Sequence, residues 1–143
     1  MSDRYFIDTN IFVYLHDSTD PFKQGKSAKI IETALKEHCG IISYQVVQEF
    51  INVVETKIKD KGIQDNLTYF LANCMYPLCQ VFVDFDLYDQ AIGLRRKNKL
   101  SFYDALVVAS AKRGGCSVLY SEDLHSGVFD KGLEIINPFK PNK

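Results

Sequence analysis

Short apolar runs alternate with amphipathic stretches along this 143-residue chain. Tyr5-Phe6-Ile7, Ile41-Ile42, Val81-Phe82-Val83 and Val118-Leu119-Tyr120 are brief and almost wholly apolar. That is the pattern of strands covered on both faces. They predict strands over 4–8, 40–43, 78–83 and 117–120, with a last short one over 133–136. Between them, apolar positions recur at helical spacing. Ala28, Ile31, Ala34 and Leu35 make one stripe of a helix over 22–37. Val46, Phe50, Val53 and Val54 make the stripe of another over 45–59, and Glu49 borders it. Residues 105–111 are small and apolar all round, which predicts a helix packed on every side. Further helices are predicted over 11–16, 64–74, 87–97 and 102–113. Gly62, Pro77 and Gly114-Gly115 supply the stops, and Asp86 is the predicted N-cap of the helix over 87–97. Residues 17–24 and 121–131 read as loops. About five strands alternating with helices predict the α/β class, a parallel sheet with helices on both faces.

At this length one domain is expected, over 1–137, with 138–143 a frayed tail. Seventeen basic and 18 acidic residues leave a net charge of −1. No global field favours nucleic acid, so any such binding must rest on local patches and metal ions. No apolar run approaches a membrane span, and no signal peptide is visible, so a cytoplasmic protein is expected. Cys39, Cys74, Cys79 and Cys116 are scattered, and His16, His38 and His125 do not pair with them at zinc-site spacing. Free thiols in a reducing compartment are the expectation.

Four acids sit where a predicted strand ends or a predicted helix begins. Asp8 closes the first strand, Glu49 lies early in the helix after the second, Asp104 is three residues into the helix opened by Ser101, and Asp123 follows the strand over 117–120. In an open parallel sheet, ligands bind beyond the carboxyl ends of the strands, so all four are candidates for one pocket. Clustered carboxylates repel unless protonated or bound to a cation. An all-oxygen pocket suits Mg²⁺ or Mn²⁺, which points to metal-assisted chemistry on a phosphate. Each acid also has a plainer reading: Asp8 as a helix N-cap, Glu49 as a hydrogen-bonded border residue, Asp104 in a capping box with Ser101, Asp123 in a polar turn. Spacing alone does not rank Asp123 above Glu122. A phosphatase of the haloacid dehalogenase type would need an acid where Asn10 stands, which weakens that reading. Arg95, Arg96, Lys97 and Lys99 precede Ser101 closely enough to meet phosphates near Asp104, although such a run also suits a solvated helix end. Phe102 or Tyr103 could stack on a base.

With these positions in place, the chain resembles the PIN-domain family, most closely the VapC-type ribonuclease toxins. The matching pieces are Phe6-Ile7-Asp8-Thr9-Asn10, Gln48-Glu49-Phe50, Ser101-Phe102-Tyr103-Asp104-Ala105 and Leu119-Tyr120-Ser121-Glu122-Asp123-Leu124. The hydroxyl-x-Asp form of the last piece selects Asp123. The resemblance spans nearly the whole chain and implies a three-layer α/β/α fold. It implies Mg²⁺- or Mn²⁺-dependent endonucleolytic cleavage of RNA, with one or two ions held by Asp8, Glu49, Asp104 and Asp123, and Asn10 and Ser121 in support. It further implies a homodimer and a small antitoxin partner. A PIN-type RNA-processing nuclease without antitoxin, and a non-catalytic RNA-binding module, are the competing readings.

Overall fold

The computed structural model describes residues 3–129 and 132–140. Five parallel strands run in the order β3-β2-β1-β4-β6, namely Cys79–Val81, Gly40–Ser43, Tyr5–Ile7, Val118–Tyr120 and Leu133–Ile136. The path steps outward from β1 through β2 to β3, then returns to the other side of β1 at β4. Crossovers between parallel strands are right-handed, so this reversal puts the helices before and after it on opposite faces. It also makes β1 and β4 the switch point of the sheet.

Between β1 and β2 lie α1 (Thr9–Leu15) and α2 (Pro21–Glu37), and α3 (Tyr44–Thr56) follows β2. After β3 come α6 (Phe85–Asn98) and α7 (Phe102–Arg113), which pack as a hairpin. Every residue from Ala105 to Ala111 is buried, as the apolar run of α7 predicts. Phe6, Ile7, Ile41, Ile42 and Leu119 form the centre of the core, each at most 2% exposed. Where α2 crosses β2, a Cβ on Gly40 would stand 2.3 Å from the Ala34 Cβ, so only glycine permits that approach.

Four expectations change. The helix over 64–74 is instead a broken path: α4 (Lys61–Asp65), α5 (Leu67–Phe70), a π-helical turn over Leu71–Met75 and a 3₁₀ turn over Tyr76–Leu78. The wide turn lets both Cys74 and Met75 point inward, and Pro77, which lacks an N–H, ends it. The first helix of the α6–α7 hairpin is capped differently from expectation, while α7 keeps the expected Ser101 cap. Asp84, not Asp86, is the N-cap of α6, its Oδ1 accepting from Leu87 N–H at 2.8 Å. Asp86 lies in the first turn and receives Arg113 Nη2 at 3.1 Å. Asp84→Ala is expected to lower the midpoint of a urea melt, and Asp86→Ala to lower it less, because only the first strands a helix N–H.

The third change is β5 (Gly127–Phe129), which pairs antiparallel with β6 at the sheet edge, inside the stretch expected as loop. Three residues are too few to show a period. The tail expected to fray is held at Phe139, which is buried and meets the Tyr14 ring edge-on at 5.1 Å. Residues 141–143 lie outside the described residues.

All four cysteines are free, three of them buried. Burial pushes the Cys74 thiol up to about 11 and Cys116 to about 12, so neither is a nucleophile at neutral pH. Among the described residues no helix is long and apolar enough to cross a membrane.

Candidate active site

Asp8 leaves β1 at the switch point and caps the helix that follows. Its backbone N–H donates to Tyr120 O at 3.0 Å, tying it to β4. Oδ1 accepts from Thr9 N–H at 2.7 Å, and Oδ2 accepts from Ser121 Oγ at 2.8 Å. The N-cap role holds, and it leaves Asp8 on the cavity wall: the cap bond uses one oxygen and orients the carboxylate. Ser121 is fully buried and serves Asp8 from behind rather than lining the cavity.

Asp8, Asn10, Glu49, Asp104 and Asp123 line one cavity of about 70 Å³ beyond the ends of β1 and β4. Glu49 reaches it from α3. Asp104 reaches it from the first turn of α7, while its N–H donates to Ser101 Oγ at 3.1 Å. Asp123 arrives on the loop after β4 and accepts from Asn10 Nδ2 at 2.6 Å. Its neighbour Glu122 is drawn elsewhere. Glu122 accepts from Lys23 Nζ at 2.5 Å and from Tyr14 Oη at 2.6 Å. Burial lifts the Glu122 carboxyl, but these two bonds outweigh it and leave it below its usual value. The structure thus separates two residues that spacing could not.

The charges are crowded. Loss of water raises the Asp8 carboxyl most, the Ser121 and Thr9 bonds pull back, and Asp123 and Asp104 push it up again; the net shift is upward. Glu49 also rises, first through displaced water, then through Asp8, with Gln45 pulling back and Asp104 adding. Glu49 is exposed by accessible surface, so its loss of water is partial. Raised carboxyls beside unneutralised acids form a site that favours a cation.

Oxygen is the sole donor type among the acids. Mg²⁺ keeps several waters and takes one or two carboxylates plus substrate phosphates. The acids surround a shared space with oxygen donors alone, which suits such an ion, although among the described residues no three Asp, Glu, His or Cys side chains clasp a single point. Thr9 Oγ1, on the same wall, is buried with no hydrogen-bond partner among the described residues.

Arg95, Arg96, Lys97 and Lys99 are exposed around the α6–α7 turn and do not line the cavity. Sequence reasoning missed Thr9 and Gln45 on its wall. Gln45 lies one helical turn before Glu49, and that spacing was the available signal. The Lys23–Glu122 pair joins residues 99 apart and had none.

The family model described as PIN domain matches residues 5–131. No curated protein matches the chain. Among solved structures, a toxin–antitoxin complex from Klebsiella pneumoniae superposes with a TM-score of 0.67 at 18% identity, covering 94% of this chain and 97% of that one. Mycobacterium tuberculosis VapC20, a toxin that cleaves the sarcin–ricin loop, gives 0.63 at 21% identity, covering 83% and 89%. FitAcB from Neisseria gonorrhoeae gives 0.62 at 16% identity, covering 94% and 98%. At these identities the structural likeness speaks for the fold.

Proposed function

The chain belongs to the PIN-domain family, and from that premise we propose that it is a metal-dependent endoribonuclease, the toxin of a toxin–antitoxin pair. The observation that carries this is the meeting of Asp8, Glu49, Asp104 and Asp123 at one cavity on the switch point. The similar structures described as a VapC toxin and a toxin–antitoxin complex support the choice of RNA and of a partner.

Bound there, one or two Mg²⁺ or Mn²⁺ ions would polarise the scissile phosphate and acidify an attacking water. The chain's own residues do the placing. Asp8, Glu49, Asp104 and Asp123 hold the charge that recruits the cation and, through it, a phosphate. Ser121 and the Thr9 N–H lock the Asp8 carboxylate, and Asn10 locks that of Asp123. The Lys23–Glu122–Tyr14 network fixes the loop on which Asp123 rides. A preset array needs little rearrangement as charge develops on the phosphate. Arg95, Arg96, Lys97 and Lys99 would meet flanking phosphates.

We place the enzyme in the cytoplasm, where its free thiols stay reduced. We also propose a homodimer. Phe82 at 61% exposed, Phe85 at 84% and Ile92 at 39% leave apolar side chains open to a second copy after β3 and along α6. Phe85→Asp is expected to convert a dimer to a monomer in sedimentation; an unchanged dimer would move the interface elsewhere.

The test of the whole reading is purified protein on cellular RNA with Mg²⁺ or Mn²⁺. Discrete fragments that vanish in EDTA support it. RNA bound but uncut by folded protein would favour a binding module. A small neighbouring gene whose product stops cleavage would supply the antitoxin, and its absence would favour an RNA-processing role.

A further inference from the structure

Beside the acid cavity lies a wider groove of about 580 Å³ between α3, the end of β3, α6 and α7. Gln45 and Tyr103 line both spaces, so the groove adjoins the site. Its walls are aromatic. Tyr103 is 68% exposed, and Tyr44 and Tyr88 are 43% and 37% exposed. The Phe102 ring lies 5.6 Å from Tyr103 and 6.2 Å from Tyr88, which braces both.

At the seam sits Gln45, only 7% exposed. Its Nε2 donates to Tyr103 O at 3.2 Å. A carbonyl only accepts, so this bond fixes which end of the amide is nitrogen. Oε1 is left buried without a hydrogen-bond partner among the described residues. A buried acceptor without a donor is rare in folded proteins and calls for an explanation.

We propose that this groove is a base-stacking subsite, which takes an unpaired nucleobase next to the scissile phosphate. The base lies on Tyr103, and an N–H on its edge donates to Gln45 Oε1. This rests on the ribonuclease reading and adds which part of the RNA the protein grips. Stacking is tolerant of sequence, because every base has a π-face, and it needs no excess of positive charge. That suits a chain of net charge −1. In a duplex those faces are already covered, so the subsite selects single-stranded or splayed RNA. An apolar protein surface would leave Gln45 Oε1 unpaired. Phe82, Phe85 and Ile92, the exposed apolar residues assigned to a second copy, do not line the groove, and of the three Phe82 comes nearest, its ring 5.6 Å from that of Tyr44.

The test uses short single-stranded RNAs carrying 2-aminopurine, whose fluorescence drops on stacking, titrated in EDTA so that nothing is cut. Wild-type protein is expected to quench the probe in the single strand, and to leave unchanged the already low signal of the same probe stacked in a duplex. Tyr103→Ala is expected to bind about five- to a hundredfold more weakly and to lose the quench. Tyr103→Phe keeps the ring and should keep both. Gln45→Met, of similar size, should relax the base preference at the cut site in Mn²⁺. If wild-type protein cuts RNA but Tyr103→Ala binds within twofold of it, the subsite is overturned and the nuclease stands. If Tyr103→Ala instead turns a dimer into a monomer with RNA binding intact, the face belongs to a second copy and the subsite is again overturned. If wild-type protein neither binds nor cuts RNA, both readings fall together.

Discussion

Asp104→Asn is expected to slow RNA cleavage by about 10²–10³-fold while the fold stays intact, a loss of the size seen when one preset electrostatic group is removed. The substitution keeps shape and removes charge. The helix start survives it, because the bond at that point runs from the Asp104 backbone N–H to Ser101 Oγ and leaves the carboxyl free for the cavity. Asp8→Asn should behave alike, since asparagine also caps helices and keeps an acceptor for Thr9 N–H. Glu122→Gln is the informative control. Its carboxylate is engaged by Lys23 and Tyr14, and cleavage should fall far less than with Asp123→Asn. Single-turnover rates on one mapped RNA, with urea melts beside them, separate lost chemistry from lost structure. Full activity in folded Asp104→Asn protein would sink the assignment of this cavity.

The second large effect is on stability, and its sign follows from the acids. Asp8 and Glu49 hold their protons more tightly in the folded protein than in the unfolded chain. The folded state therefore binds more protons over the window between the unfolded values, near 4, and the raised ones. Metal-free stability from these two groups is highest below that window and falls as pH rises through it. Above it the full penalty remains. A cation that binds only the folded protein offsets it, by about 2.7 kcal/mol at a hundred times its dissociation constant. Mn²⁺ should thus raise the melting temperature clearly at pH 7.5 and little at pH 4. In EDTA, the gap between wild type and Asp8→Asn should shift in favour of the variant as pH rises. Taking that difference cancels exposed acids such as Asp84, whose Arg113 bond depresses its carboxyl and gives an opposite slope. A gap independent of pH, or equal Mn²⁺ shifts at both pH values, would contradict the crowding described above.

What could be read from the sequence follows its physics. Strands such as Gly40–Ser43, buried on both faces, and the helix Phe102–Arg113 leave an unambiguous apolar signature, and their bounds matched. Asp84 and Asp86 both suit a cap, and local spacing does not choose between them; the Arg113 contact that holds both comes from another helix. The π-helical turn over Leu71–Met75 breaks the 3.6 period that a pattern search assumes. At the site, the order of the acids on strand ends pointed toward a shared cavity. The links that orient them did not show, because Asn10–Asp123 and Asp8–Ser121 each span 113 residues. Gln45 looked like one more polar helix position until its unpaired oxygen was placed beside the groove.

The order of the strands has a consequence for synthesis of the protein. β4 pairs with β1 and β6, so the first strand meets its central neighbour only when residue 118 and beyond are available. Asp123, the last acid, comes after that. A growing chain on the ribosome holds Asp8 and Glu49 early, yet it can form no cavity between them and Asp123 until the domain is nearly complete. At ordinary elongation rates that delay is about 6–25 s. The long-range pairing also slows folding itself, since distant ends must close before any contact rewards them. A cell making this protein therefore has an interval in which the message is being read while no acid cavity exists.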